Sequence, residues 1–256
     1  MLDETIERYR APALDKGLDI LELLAESHDG MTQTEIAKAL GRPATEFYRM
    51  LERLVRRNYV ARVSGDRYGL TMKMFALANR NPPMHQLIGQ ATPVMRRLAG
   101  ECMQACHLVV LDRGDLVLVA QVESPKAWGV SIRIGTKGGL ANTGSGRVML
   151  AFATAPERRR MLSEHQTLPG ELILAGLDAQ LDAIRTRGYE AIESPQMTGV
   201  HLLSAPIIGL QGSAFAAITI THLGRTDVAD ALDPQRCVPM LLQAGRDISA
   251  IVAGEL

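Results

Sequence analysis

The sequence predicts an α+β chain of two domains, and three observations carry that reading. Residues 1–78 hold helix-forming stretches followed by a hairpin pattern. Residues 104–256 hold six strand-like runs with helices grouped between hairpins, the arrangement of an antiparallel sheet. Between them Asn79-Arg80-Asn81-Pro82-Pro83 interrupts the periodicity and marks a boundary, so that 79–103 serves as linker and linker helix. At 256 residues the chain is long enough for each part to bury a core of its own.

After an arm over Met1 to Pro12, Leu14, Leu18, Leu21, Leu24 and Ala25 form a helical stripe that ends near Asp29-Gly30. Thr32 followed by Glu35 is a capping box and starts a second helix with Ile36, Ala37 and Leu40 inward, stopped by Gly41. Pro43 suits the first turn of a third helix, because its missing N–H lacks an intrahelical partner there in any case. In that helix Phe47, Met50, Leu51, Leu54 and Val55 recur on one apolar face. Tyr59 to Arg62 and Arg67 to Leu70 then flank the turn Ser64-Gly65-Asp66. Three helices and a hairpin in this order are a winged helix-turn-helix, with one more helix expected over Leu70 to Ala78.

Charge supports that reading. Residues 1–41 contain four Lys/Arg and nine Asp/Glu, whereas residues 42–73 contain eight Lys/Arg and three Asp/Glu. The whole chain has zero net charge, so attraction to a polyanion must be local to the third helix and the hairpin. A charged outer helix face is often only a solvated surface; the reversal of charge at residue 42 argues for contact with duplex DNA. On that basis Thr45, Glu46, Tyr48 and Arg49, with Ala44 beside them, are expected at base edges, and Arg42, Arg53, Arg62 and Arg67 at phosphates.

In the second half, Met84 to Met103 reads as a long amphipathic helix despite Pro93. His107 to Leu111 and Leu116 to Val122 flank Asp112-Arg113-Gly114-Asp115 as a hairpin, and Gly129 to Ile134 reads as a third strand. A glycine-rich loop, Gly135 to Gly139, leads toward a helix from Ser145 to Ala153. Pro156 to Glu164 and Asp178 to Arg187 are further helices. Tyr189 to Glu193, His201 to Ile208 and Ala214 to Thr221 are strands, and Pro234 to Ala253 closes the chain as a helix.

Several activities find no support. The glycine loop lacks the Gly-Lys-Ser/Thr of a Walker motif and matches no dinucleotide fingerprint, and Thr143-Gly-Ser-Gly146 lacks the first glycine of a nucleophile elbow. Cys102, Cys106 and His107 are close in sequence but have no fourth ligand at suitable spacing, so buried free thiols are expected, with no metal and no cofactor. No apolar run approaches membrane-spanning length, and the charged start is unlike a signal peptide, which points to the cytoplasm. The second domain reads as a binding module. A metabolite-converting enzyme whose winged helix makes protein contacts is the alternative.

Both halves resemble the IclR family of bacterial transcription regulators. The likeness lies in LDKGLDILELLAE, TQTEIAKALGRPATEFYRMLERLVRRNYV and RYGL in the first half, and in GGLANTGSGRVMLAF, LDAQLDAIRTRGYEAI and GVHLLSAPI in the second. It implies a GAF-like effector domain that binds a small metabolite, and a homodimer or dimer of dimers on a palindromic operator. Carried over by position, the effector cavity would include Trp128, Gly144, Ser145, Ile192, Val200, Leu202, Thr219 and Thr221. Here Ile192 stands where the family commonly has an acidic residue, Leu202 where it often has cysteine, and Gly139 and Ala141 where proline and histidine are frequent. Each change makes the cavity less polar or roomier, so an organic acid with an apolar body, an aromatic acid first of all, is the expected effector. Ala44-Thr45-Glu46 also departs from the family's usual lysine and small hydroxyl residues, so the operator is expected to differ from the usual one.

Overall fold

The capping box forms as the sequence requires. Thr32 Oγ1 accepts from the Glu35 amide at 3.2 Å, and Glu35 Oε2 accepts from the Thr32 amide at 2.8 Å. The computed structural model describes residues 11–168, 171, 176–224 and 233–254; the arm expected over the first residues lies almost wholly outside them. The chain divides between His85 and Gln86 into two units.

The first unit contains α1 (Pro12–Ala25), α2 (Gln33–Ala39), α3 (Ala44–Arg56), β1 (Val60–Ser64), β2 (Arg67–Leu70) and α4 (Lys73–Ala78). Gly41 ends the α2 turn with φ of 61°, a conformation that disfavours a Cβ. Ile20, Leu24, Ile36, Phe47, Leu51, Val60 and Tyr68 form the core. The stripe on α1 is therefore only half covered. Leu24 is buried, but Leu14 is 61% and Leu18 46% exposed, and Ile20 takes the central place. The apolar face is real, but its first two turns overhang the core and line a surface groove with Met50, Leu54, Met74 and Leu77. The hairpin is antiparallel with Gly65 at the turn, and its first strand runs two residues beyond the expected Arg62. The last helix is shorter than expected, because Leu70 stays in β2 and Thr71 and Met72 precede the first turn, with Thr71 Oγ1 accepting from the Lys73 amide.

The helix α5 (Pro82–Cys102) leads into the second unit. There β3 (Ala105–Asp112), β4 (Asp115–Val122), β5 (Lys137–Gly138), α6 (Gly144–Ala151), α7 (Ala155–Glu164), α8 (Leu177–Arg187), β6 (Glu190–Glu193), β7 (Val200–Ile208), β8 (Ala214–Leu223) and α9 (Pro234–Ala253) follow. The six strands form one antiparallel sheet in the order β5-β4-β3-β8-β7-β6. The expected strand over Gly129 to Ile134 is not one. Hydrogen bonds from Gly135 N to Leu118 O and from Leu118 N to Thr136 O put the pairing later, at Lys137–Gly138. A β-branched run makes a strand only where a ladder partner is in reach.

Alternation along β7 assigns the faces. A Cβ on Gly144 would meet Ser204 Oγ, so Ser204 faces α6, while a Cβ on Gly245 would meet the Ala205 methyl, so Ala205 faces α9. On β3, Cys106 Sγ reaches Met95 O of α5. Helices α5 and α9 therefore cover one face and α6 the other. Cys102, Cys106 and Cys237 are buried free thiols.

Candidate functional site

The exposed face of α3 carries Thr45, Arg49 and Arg56 at spacings that keep them in one line away from the core residues Phe47 and Leu51. Arg42 precedes the helix and is exposed, as is Tyr48. Glu46 and Arg53 lie toward α1. Lys16 Nζ donates to Glu46 Oε2 at 3.0 Å, and that bond, then the Lys16 and Arg42 charges, hold the Glu46 carboxyl below the usual range. Ala44, expected beside base edges, is half-buried against the core, because the first turn of α3 leans on it. On the hairpin, Arg62 is exposed, with its guanidinium donating to Tyr68 Oη at 3.1 Å, and it lies over that ring.

Arg67, expected at a phosphate, is already occupied. Its guanidinium donates to Gly30 O at 2.8 Å and to Asp29 O, and it pairs with Glu35 at 3.0 Å. It ties the second strand of the wing to the loop before α2, a structural role that its place at a strand start did not reveal. Arg56 follows Arg49 by two helical turns and shares its outer line, and Lys16, which holds Glu46, comes to α3 only through the tertiary structure.

The second site is a cavity of about 290 Å³ on the α6 side of the sheet. Of the eight positions carried over from the resemblance, Gly144, Ser145, Leu202 and Thr219 line it. Val200 and Thr221 are buried without lining it, and Ile192 is half-buried on β6. Trp128 is 70% exposed, in the irregular segment where the sequence had suggested an approach to a strand. Its wall is apolar, from Val109, Leu116, Leu118, Ile132, Met197 and Leu202. The polar part is the start of α6, where Thr143 caps the helix by accepting from the Gly146 amide, together with Ser145, Thr219 and His107, and Thr136, Lys137 and Gln196 also line the cavity. His107 was the residue overlooked. It was weighed as a metal ligand, but strand alternation from Val109 would have placed it on the cavity face. Its Nδ1 lies 3.3 Å from Thr221 Oγ1, and burial pushes its pKa down to about 4.

The Lys137 ammonium is turned elsewhere. Lys137 pairs in register with Val117, which faces away from Leu116 and Leu118, and its Nζ donates to Asp115 Oδ2 at 2.8 Å. Arg133 is exposed. Among the described residues no cluster of His, Cys, Asp and Glu could hold a metal, and no helix is long and apolar enough to cross a membrane.

A basic reading helix and wing, followed by a sheet domain with a small cavity, define a DNA-binding protein linked to a small-molecule sensor. Comparison with known proteins specifies it. Residues 13–64 match the IclR helix-turn-helix domain, and residues 83–250 match the bacterial transcriptional regulator IclR C-terminal domain. The chain belongs to the IclR family of transcriptional regulators. It is 30% identical over 218 residues to the HTH-type transcriptional regulator BhcR of Paracoccus denitrificans (strain Pd 1222), covering 82% of this chain and 76% of that one. It is 28% identical over 240 residues to the HTH-type transcriptional regulator KdgR of Escherichia coli (strain K12), covering 92% and 90%. Its fold is similar to the crystal structure of an IclR homolog from Microbacterium hydrocarbonoxydans complexed with 4-hydroxybenzoate, at a TM-score of 0.77, 20% identity and coverage of 94% and 99%. It is a sequence-specific DNA-binding regulator.

Proposed function

We propose that the effector is an organic acid with an apolar body, an aromatic acid foremost, bound in the cavity beneath α6. The observation that carries this is the cavity's division into an apolar wall and a polar end at a helix N-terminus, where backbone amides and the positive end of the helix dipole favour an anion. The cavity volume, at the lower edge of ordinary ligand sites, suits one ring better than a larger molecule. The bound 4-hydroxybenzoate of the similar chain supports the same class.

On this reading the chain regulates by binding rather than by turnover, on DNA in the cytoplasm. Two copies, or a dimer of dimers, place two α3 helices on a palindromic operator, with half-sites about one helical turn apart or a multiple of it. The effector favours one arrangement of the reading helices over another and shifts operator affinity by its differential affinity, roughly 5- to 150-fold. Footprinting of the promoter beside its own gene, with a panel of aromatic and short aliphatic acids, tests this. A benzoate should move the half-saturation point. A response to glyoxylate or pyruvate and to no benzoate overturns the apolar effector, and turnover of an acid without a footprint overturns the regulator mechanism.

A further inference from the structure

Across the face that carries α6, one row is polar over five of the six strands. Glu190 pairs with Ser204, Ser204 with Thr219, Thr219 with His107 and His107 with Gln121, so five consecutive strands place a polar side chain at the same level. Interiors rarely keep such groups without partners. One half of the row is satisfied within the protein. Arg147 and Arg187 pair with Glu190, and Ser204 Oγ lies 2.8 Å from Thr219 Oγ1.

The other half is not. His107 is 5% exposed and lines the cavity, yet only its Nδ1 has a partner among the described residues, leaving Nε2 for whatever fills the cavity. Beside it Gln121 Oε1 is buried without a partner. Thr221 stands behind the ring, where it fixes the imidazole without touching the cavity.

The start of α6 and the imidazole sit apart. Gly144 lies over Ser204 on β7, and His107 is on β3, two strands away, a lateral distance of roughly 10 Å between backbones. The adjacent oxygens of a 2-oxo acid do not span that, whereas a carboxylate and a hydroxyl at opposite ends of one aromatic ring do. Building on the proposed aromatic-acid effector, we propose that His107 Nε2 is a specificity-determining contact: it hydrogen-bonds an uncharged hydroxyl on the ring, while the amides at the start of α6 and Ser145 hold the carboxylate. Because burial keeps the imidazole neutral at pH 7, it reads a hydroxyl rather than competing for the anion.

Calorimetry on the full chain with benzoate, 4-hydroxybenzoate and pyruvate, for wild type, His107→Phe and His107→Gln, tests the assignment. Wild type should prefer 4-hydroxybenzoate over benzoate by about three- to tenfold, the worth of one neutral hydrogen bond. His107→Phe should bring that ratio to about one, and His107→Gln should keep part of it. An equal ratio in wild type, or an unchanged one in His107→Phe, overturns the His107 contact and leaves the aromatic-acid reading standing. Binding of pyruvate and of neither benzoate overturns both. If His107→Phe does not fold, imidazole ¹⁵N resonances of wild type decide. The His107 Nε2 signal should move with 4-hydroxybenzoate and stay with benzoate, and the same response to both ligands sinks the proposal.

Discussion

Lys16 Nζ of α1 lies 3.0 Å from Glu46 Oε2 in the first turn of α3, so the carboxylate at the start of the reading helix is steered from another helix. With its pKa lowered by Lys16 and then by Arg42, Glu46 is ionised wherever DNA is bound, and an ionised carboxylate near a base edge accepts from cytosine N4. Glu46→Ala should flatten the preference at one base pair by roughly tenfold and leave the preference at other positions unchanged. Lys16→Ala should weaken the same preference by less. Binding to a set of operators with single substitutions measures both, and an identical profile for wild type and Glu46→Ala would remove Glu46 from the reading set.

The arginines of the wing should separate by behaviour. Arg62 is exposed and held only by the neutral Tyr68 hydroxyl and ring, so Arg62→Ala should weaken all sequences alike and reduce the salt slope by about one ion. Arg49→Ala, on the outer line of α3, should instead relax preference at particular bases. Arg67→Ala removes the bonds to Asp29 O and Gly30 O and should destabilise the first unit by roughly 1–3 kcal/mol. Thermal melting beside salt titration tells these apart. A melting point unchanged by Arg67→Ala, with a reduced salt slope, would return Arg67 to the phosphate set.

These residues also show where a sequence stops being readable. The Thr32–Glu35 box was legible because both partners lie within one helical turn and the bonds are local. The leucines of α1 were legible as a face but not as a core: periodicity reports which side is apolar, and coverage depends on where the neighbouring elements end. The cavity divides the same way. Ser145 and Gly144 follow from a helix start, whereas Thr221, on the same sheet face as Thr219, is kept from the cavity by its contact with His107, 114 residues away. Trp128 was carried over as a position, and a position does not transfer the conformation of an irregular segment.

Two glycines in the first turn of α6 should differ in what they tolerate. A Cβ on Gly146 would lie 2.3 Å from Leu140 O and 2.5 Å from Gly139 O, both backbone atoms that cannot swing aside. Gly146→Ala should cost roughly 3 kcal/mol or more and lower the melting point of the second unit. A Cβ on Gly144 would lie 2.8 Å from Ser204 Oγ, a hydroxyl at the end of a short side chain. Gly144→Ala should therefore fold and bind effector more weakly, as its methyl displaces the helix start from the polar row. Melting points that fall equally in both variants would contradict this difference.

The pH dependence of the second unit should centre on His165. Its Nε2 lies 2.7 Å from Glu171 Oε2, and its Nδ1 faces Gly114 O at 2.9 Å and Asp115 Oδ1 at 3.2 Å. Burial pulls the imidazole's pKa down, but the Glu171 carboxylate, the Gly114 carbonyl and Asp115 together outweigh it, and the net shift is upward. Burial likewise raises Glu171, and His165 with the amides of Leu168 and Ala141 more than reverses it, so Glu171 is shifted down. A group raised on folding contributes stability that is complete below its unfolded value of about 6.5 and disappears as pH rises through the folded value. A lowered carboxyl contributes stability above its unfolded value of about 4.3 and loses it as pH falls. The latch is therefore strongest between these limits. Raising the pH from about 6 to 8 should lower the melting point of the second unit. Replacing His165 with Gln should remove that slope. Because Glu171 Oε1 also accepts from the Ala141 amide in the loop that ends at Thr143, effector affinity should decline over the same pH range in wild type and not in His165→Gln. A wild-type melting point that is level or rising from pH 6 to 8, or an equal decline in His165→Gln, would assign the latch to other groups.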